Sequence, residues 1–73
     1  MKLVVNGNDV EVSDGINVSQ LLIERKVKMP DMVVVELNET VLQRAEFEAT
    51  LLREGDRVEF LYFMGGGRGT DTV

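Results

Sequence analysis

The 73-residue sequence has no cysteine, no histidine and no tryptophan, and it has a single proline. Without cysteine or histidine, the chain lacks zinc-site ligands, disulfides and the Cys-His or Ser-His pairs of nucleophilic catalysis. It also lacks the side chain best suited to proton transfer near neutral pH. We therefore expect a protein that is not an enzyme and that binds no metal or cofactor of its own.

Positive charge and long apolar runs are also scarce. Eight Lys and Arg residues stand against thirteen Asp and Glu residues, which gives a net charge of −5. With so few cations, scattered along the chain, we expect no nucleic-acid partner. No apolar stretch approaches the roughly 20 residues of a membrane helix, and the first residues are too short for the apolar region of a signal peptide. We expect one cytoplasmic domain with no membrane partner.

The residues that are present predict a β-hairpin followed by a helix. Two short β-branched runs, at 3–5 and 10–12, flank Asn6-Gly7-Asn8-Asp9, a turn-favouring segment. Asn17 is the predicted N-cap of a helix over 18–27, with Gln20 completing a capping box. The helix presents an apolar stripe and cannot continue through the proline that follows it; the stripe is Val18, Leu21 and Leu22.

The second half of the chain predicts further strands. A compact apolar run over 32–37 is typical of an inner strand, and 41–42 is a short edge segment. Between 44 and 52, Phe47 and Leu51 are expected to anchor a helical turn or a packed loop. Alternation over 57–63 predicts the final strand. The predicted core joins the helix stripe to residues of these strands, namely Leu3, Val5, Val33, Val35, Val58 and Phe60.

This order of elements predicts an α+β fold. One main helix on one face of a mixed sheet of four to five strands, with the first and last strands parallel at its centre, is the ubiquitin-like β-grasp. We assign residues 1–64 to this domain and 65–73 to a flexible glycine-rich tail. Because one helix covers one sheet face, Val34, Leu61 and Phe63 are expected on the other, as an apolar docking surface.

The glycines Gly65, Gly66 and Gly67 follow the last predicted strand directly. They fit neither a Walker loop nor a dinucleotide fingerprint, because the required Lys-Ser/Thr or third glycine is missing. A ribbon without side chains at the end of a rigid body can thread a narrow enzyme tunnel and present a carboxylate.

Several segments together resemble the ThiS sulfur-carrier family over residues 1–67. The resemblance is strongest in the strand Val33-Val34-Val35-Glu36-Leu37-Asn38 and in the end Phe63-Met64-Gly65-Gly66-Gly67. Other matching segments are Val5-Asn6-Gly7, Val18 with Leu21-Leu22, Val41 with Arg44 and Phe47, and Glu54-Gly55-Asp56 with Val58-Glu59.

The resemblance implies a carrier that is monomeric when free and acts as a co-substrate of partner enzymes. A ThiF-like adenylyltransferase would use ATP and magnesium to activate the carboxylate of Gly67. Sulfur originating from a cysteine desulfurase would then give a thiocarboxylate, which a thiazole synthase would accept for thiamin biosynthesis. Gly65 and Gly66 would thread the partner's tunnel.

The chain departs from the family in residues 68–73, which continue beyond Gly67 and hide its carboxylate. They are either a native extension that a protease removes or a remnant of expression. Two other functions stay open. One is a sulfur carrier for cysteine, methionine or molybdopterin synthesis, and the other is a ubiquitin-like interaction module without carrier activity.

Overall fold

The computed structural model describes residues 1–63 and, as backbone, residues 70–72; the side chain of Phe63 lies outside this description. In chain order, the elements are β1 (Lys2–Val5), β2 (Asn8–Glu11), α1 (Val18–Glu24), β3 (Val33–Leu37), β4 (Thr40–Val41), a 3₁₀ turn (Arg44–Glu46), β5 (Arg57–Phe63) and β6 (Thr70–Thr72). No helix within these residues combines the length and the apolar character needed to cross a membrane.

The strands form one mixed sheet in the order β2-β1-β5-β3-β4, with β6 also paired to β5. β1 and β5 run parallel, with Val5 opposite Val58, and the remaining pairs are antiparallel. The α+β prediction of a ubiquitin-like β-grasp is confirmed, because the first and last strands of the predicted domain are parallel neighbours at the sheet centre. β6 is an addition to the predicted four to five strands.

Two tight turns place asparagine in the left-handed backbone region. Asn6 (φ 48°) and Gly7 (φ 82°) join β1 to β2, and Asn38 (φ 50°) and Glu39 (φ 72°) join β3 to β4. Positive φ at both central residues is the signature of a type I′ hairpin turn, whose twist matches that of the flanking strands. Asparagine adopts this region more readily than most residues.

Helix α1 begins as predicted and ends early. Asn17 accepts a hydrogen bond from the backbone of Gln20 at 2.8 Å, and the Gln20 side chain accepts one from the backbone of Asn17 at 2.8 Å. At the other end, Lys26 takes φ 55° and donates to the carbonyl of Ile23, while Val27 donates to that of Leu22. This Schellman ending stops the helix before Pro30 is reached, so the predicted last turn to Val27 does not form.

The apolar core lies between α1 and one face of the sheet. Every residue predicted for it is buried, and Val12, Ile16, Phe47 and Leu52 complete it. The prediction for Leu51 is wrong, because its side chain is 63% exposed and Leu52 is buried instead. The backbone of Leu52 donates to the carbonyl of Ile16 at 2.9 Å, and this bond holds Leu52 beside the core.

Candidate functional site

The candidate site is the carboxyl end of β5, where the chain leaves the sheet toward the three glycines. Gly65, Gly66 and Gly67 themselves lie outside the described residues, and their predicted role stays a prediction. The structure does define the strand that precedes them. β5 pairs with β1 over its first residues and with β3 over five, from Val58 to Tyr62. A strand held on both sides is a rigid base for the segment that follows it.

Two asparagine side chains lock β5 in place. The Asn6 side-chain oxygen accepts a hydrogen bond from the backbone of Phe60 at 2.9 Å, and the Asn6 backbone donates to the carbonyl of Val58 at 2.9 Å. Asn38 accepts from the backbone of Arg57 at 2.9 Å and donates to the Asp56 carboxylate at 3.1 Å. These turns therefore supply hydrogen-bond partners for β5 where its neighbouring strands β1 and β3 do not.

Sequence reasoning missed these two roles. The sequence Asn6-Gly7 predicts only a turn, although an asparagine at a turn beside a neighbouring strand can also donate or accept a hydrogen bond across the sheet. The sequence signal for this role is an asparagine at a turn position that requires positive φ. The strand it reaches could be known only once β1 and β5 were placed side by side.

β6 pairs with the part of β5 that β1 leaves open. Leu61 lies opposite Thr72, Tyr62 opposite Asp71 and Phe63 opposite Thr70. Since β3 already occupies the other edge of β5 at Leu61 and Tyr62, β6 must lie on the β1 side, beyond Asn6. Residues 64–69 and Val73 lie outside the described residues, so the division into a domain over 1–64 and a flexible tail over 65–73 stays a prediction.

The predicted docking residues are only partly visible. Val34 and Leu61 are direct register partners on β3 and β5, and both side chains are half-buried. They alternate with Val33, Val35 and Phe60, which face the core, so they lie on the sheet face away from α1. The structure therefore brings Val34 and Leu61 together. Its description leaves out the side chain of Phe63, so the predicted docking surface stays a prediction.

Tyr62 is a further residue that sequence reasoning did not single out. Its side chain is half-buried, and its hydroxyl donates a hydrogen bond to the backbone carbonyl of Lys28. This bond ties the segment after α1 to the end of β5. A tyrosine at the edge of a core commonly finds such a polar partner for its hydroxyl.

Within the described part of the chain, no group of three or more acidic residues is placed to hold a metal ion. The resolved electrostatic perturbations lie at the other end of the sheet. The Asp14 carboxylate, 2.8 Å from the Met1 amino group, raises the pKa of that amino group, and the amino group lowers the pKa of Asp14.

Comparison with known proteins identifies relatives over nearly the whole chain. The model of the ThiS family matches residues 3–67. The crystal structure of a thiamine biosynthesis protein (ThiS) from Geobacter metallireducens is 51% identical, with a TM-score of 0.86, and the match covers 92% of this chain and all of that one. An NMR structure of a thiamine biosynthesis protein from the same organism is 49% identical, with a TM-score of 0.75, covering 94% of this chain and 91% of that one.

Two longer proteins contain a similar segment. Thiazole synthases of Magnetococcus marinus and Paramagnetospirillum magneticum are each 34% identical to this chain, over 68 and 67 residues. These matches cover 93% and 92% of this chain but 21% and 20% of the relatives. The chain thus spans about a fifth of the length of these curated relatives.

Proposed function

This chain belongs to the ThiS family, and on that premise we propose that it is a sulfur carrier for the thiazole step of thiamine biosynthesis, with its chemistry at Gly67. The observation that carries the proposal is where the family match ends. It runs from residue 3 to residue 67, and residue 67 is the last of three consecutive glycines. The matched region therefore ends at the residue whose carboxylate would react.

The proposed chemistry takes place at this carboxylate and is catalysed by partners. A carboxylate oxygen of Gly67 attacks the α-phosphorus of ATP on an adenylyltransferase, which forms an acyl-adenylate and releases pyrophosphate. Hydrosulfide supplied by the partners then attacks the acyl carbon, AMP leaves with the former acyl C–O bond broken, a proton is released, and a thiocarboxylate remains. ATP, magnesium and the sulfur supply belong to the partner enzymes, so this chain acts as a co-substrate rather than a catalyst. The absence of cysteine and histidine is compatible with that role.

The fold supports such a role through the position of the glycines. They begin two residues after β5, which is clamped between β1 and β3 and by the Asn6 side chain. A rigid body followed by residues without side chains allows close backbone approach to a partner. We propose that Val34, Leu61 and Phe63 contact the adenylyltransferase while Gly65 and Gly66 extend into its active site.

The two longer relatives suggest which enzyme accepts the sulfur. Two thiazole synthases contain a segment that resembles this chain within one polypeptide. Joining a carrier to its acceptor raises the effective concentration of one at the other, so such a fusion is useful when the two act together. This favours delivery of sulfur to a thiazole synthase over the cysteine, methionine or molybdopterin alternatives. A cytoplasmic, monomeric carrier remains our expectation.

Residues 68–73 must be removed before the carrier can act. Adenylation needs a free carboxylate, and here the carbonyl of Gly67 forms a peptide bond with Arg68. Hydrolysis of that bond by a protease would release the residues that follow Gly67 and expose the Gly67 carboxylate. The full-length chain is expected to be inert, because Arg68 would also add width and charge where a tunnel admits glycine.

Intact-mass spectrometry tests the proposal. The full-length chain, a chain ending at Gly67 and a control chain ending at Met64 are incubated with ATP, magnesium, the cognate adenylyltransferase and a sulfur source. Only the chain ending at Gly67 should gain the mass of one oxygen exchanged for sulfur. Modification of none of the three would favour the interaction module, and modification of the intact full-length chain would show that Gly67 is the wrong terminus.

A further inference from the structure

A cavity of about 360 Å³ lies beside the end of β5, between the turn after β1 and the segment that follows α1. Three of the chain's eight cationic residues line it, and they are Arg25, Lys26 and Lys28. Among the described lining residues there is no carboxylate, although the chain has thirteen. In a protein of net charge −5, such a segregated positive patch is unexpected from composition alone.

The fold holds these cations in one place. The Schellman ending turns the chain at Lys26, and half-buried Val27 packs against the core between its two cationic neighbours. The Tyr62 hydroxyl then binds the carbonyl of Lys28, which fixes this segment to β5. We call Arg25, Lys26 and Lys28 the cationic rim.

The charges of the cationic rim are not neutralised within the part of the chain that is described. Both ion pairs found there involve the Met1 amino group. The three side chains are exposed, and the amide side chains of Asn6 and Asn8 share the cavity wall with them. Amides and cations together offer hydrogen-bond donors, which suit carboxylate oxygens.

The cationic rim is close to the reacting end of the proposed carrier. Tyr62 lines the cavity and is three residues before Gly65, a separation that spans at most about 11 Å of extended chain. That is close to the Debye length of about 10 Å at 0.1 M salt. A partner that takes up the glycines would therefore lie within electrostatic range of the rim.

We propose that the cationic rim is a docking site for carboxylate side chains on the adenylyltransferase that activates Gly67. The inference rests on the proposed function. This acidic chain would be repelled by an acidic surface on the partner unless its cationic rim faced that surface. The rim would therefore orient the chain as it approaches the adenylyltransferase. The exposed, flexible cations around an open cavity suit a protein surface better than a buried small anion. Such a site would act together with the apolar docking residues on the other sheet face.

A pair of charge-matched double variants tests this proposal. Arg25→Glu with Lys28→Glu reverses the rim and leaves the backbone conformation at Lys26 unaltered. Lys2→Glu with Arg53→Glu changes the net charge equally, at exposed positions that do not line the cavity. The dissociation constant for the adenylyltransferase is measured by calorimetry at 50 and 300 mM NaCl, with chains ending at Gly67. The family match ends at Gly67, and the match to the Geobacter metallireducens crystal structure covers all of that shorter chain, so we expect a chain ending at Gly67 to fold.

Reversal of the rim should weaken binding by about 10- to 100-fold at low salt, and by several-fold less at high salt, because screening reduces the contribution. The control pair should change it by less than about threefold. Equal losses in both pairs would overturn the proposal, since net charge alone would then explain them. A neutral pair, Arg25→Gln with Lys28→Gln, should weaken binding by an intermediate factor. It also avoids placing acidic side chains at the C-terminal end of α1.

Adenylation kinetics and a phosphate titration followed by NMR distinguish failure of the rim proposal from failure of the proposed function. If the rim-reversed chain is adenylated with an unchanged KM, the rim proposal fails and the carrier function stands. If no chain ending at Gly67 is adenylated at all, the proposed function itself fails. If inorganic phosphate shifts the amide signals of 25–28 at low millimolar concentration while binding to the enzyme is unaffected by reversal, the cavity is a small-anion site and the docking proposal is overturned.

Discussion

Replacing Asn6 with alanine should remove two contributions to stability at the point where β1 leaves β5. Asn6 occupies φ 48°, and its side-chain oxygen accepts the hydrogen bond of the Phe60 backbone at 2.9 Å. Alanine in the left-handed region costs about 1–2 kcal/mol, more than asparagine does there. An unpaired, part-buried N–H of Phe60 costs about 1–3 kcal/mol. Together these effects predict a loss of about 2–5 kcal/mol in the free energy of unfolding.

Two other substitutions at the same position separate the two contributions. Asn6→Gly keeps the backbone conformation and removes only the hydrogen bond, so it should cost about 1–3 kcal/mol. Asn6→Asp retains an acceptor oxygen and tolerates the left-handed region, so it should cost less than about 1 kcal/mol. Alanine should therefore be the most destabilising, glycine intermediate and aspartate the mildest.

Urea unfolding followed by far-UV circular dichroism measures these differences, since the chain has no tryptophan. Asn8→Ala is the matched control, because Asn8 is exposed two residues further along the same hairpin and should change stability by less than about 0.5 kcal/mol. A loss for Asn6→Ala no larger than that of the control would refute the role of Asn6. A glycine variant less stable than the alanine variant would refute the conformational part of the reasoning.

Other substitutions probe the core, the docking face, the helix end and the amino terminus. Leu22→Ala should lower the free energy of unfolding by about 2–5 kcal/mol in the same urea assay, because Leu22 is buried in the core; a loss below about 0.5 kcal/mol would mean that the helix stripe is misassigned. Leu61→Asp should weaken the complex with the adenylyltransferase and keep the circular dichroism spectrum, whereas an unfolded variant would assign Leu61 to the core. Lys26→Gly should raise stability by about 0.5–1 kcal/mol, since φ is 55° there; a loss would contradict the Schellman ending. Asp14→Asn should lower the pKa of the Met1 amino group in an NMR titration, because the carboxylate raises it; an unchanged pKa would show that the two groups do not interact in solution.

The fold was predictable from the sequence because its signals are local. Asn6-Gly7 specifies a type I′ turn, Asn17 and Gln20 form the expected capping box, and apolar periodicity separates the helix from the strands. All nine predicted core residues are buried, since alternation and helical spacing already determine which side chains share a face. The family resemblance followed from the same segments and is confirmed by the comparisons.

Local signals were weaker between residues 44 and 52. Phe47 is buried as expected, but Leu52 rather than Leu51 enters the core. The choice between two adjacent leucines depends on a long-range backbone bond from Leu52 to Ile16, which no short window of sequence contains. The helix end shows the same limit, because non-glycine Lys26 adopts a left-handed conformation that sequence preference disfavours.

By itself, the sequence determined the β-grasp domain, its core and the glycine run that the family match reaches. Turn residues, caps and apolar periods act over a few positions, so they can be read directly from the chain. Only the tertiary structure decided that Asn6 completes β5, that residues 70–72 pair with that strand, and that Arg25, Lys26 and Lys28 surround one cavity. Arg25, Lys26 and Lys28 are close in sequence, but Asn6 and Tyr62, which line the same cavity, are distant from them in the chain. Such residues become neighbours only when the strands pair and the helix packs on the sheet, so a local sequence pattern cannot predict their contact.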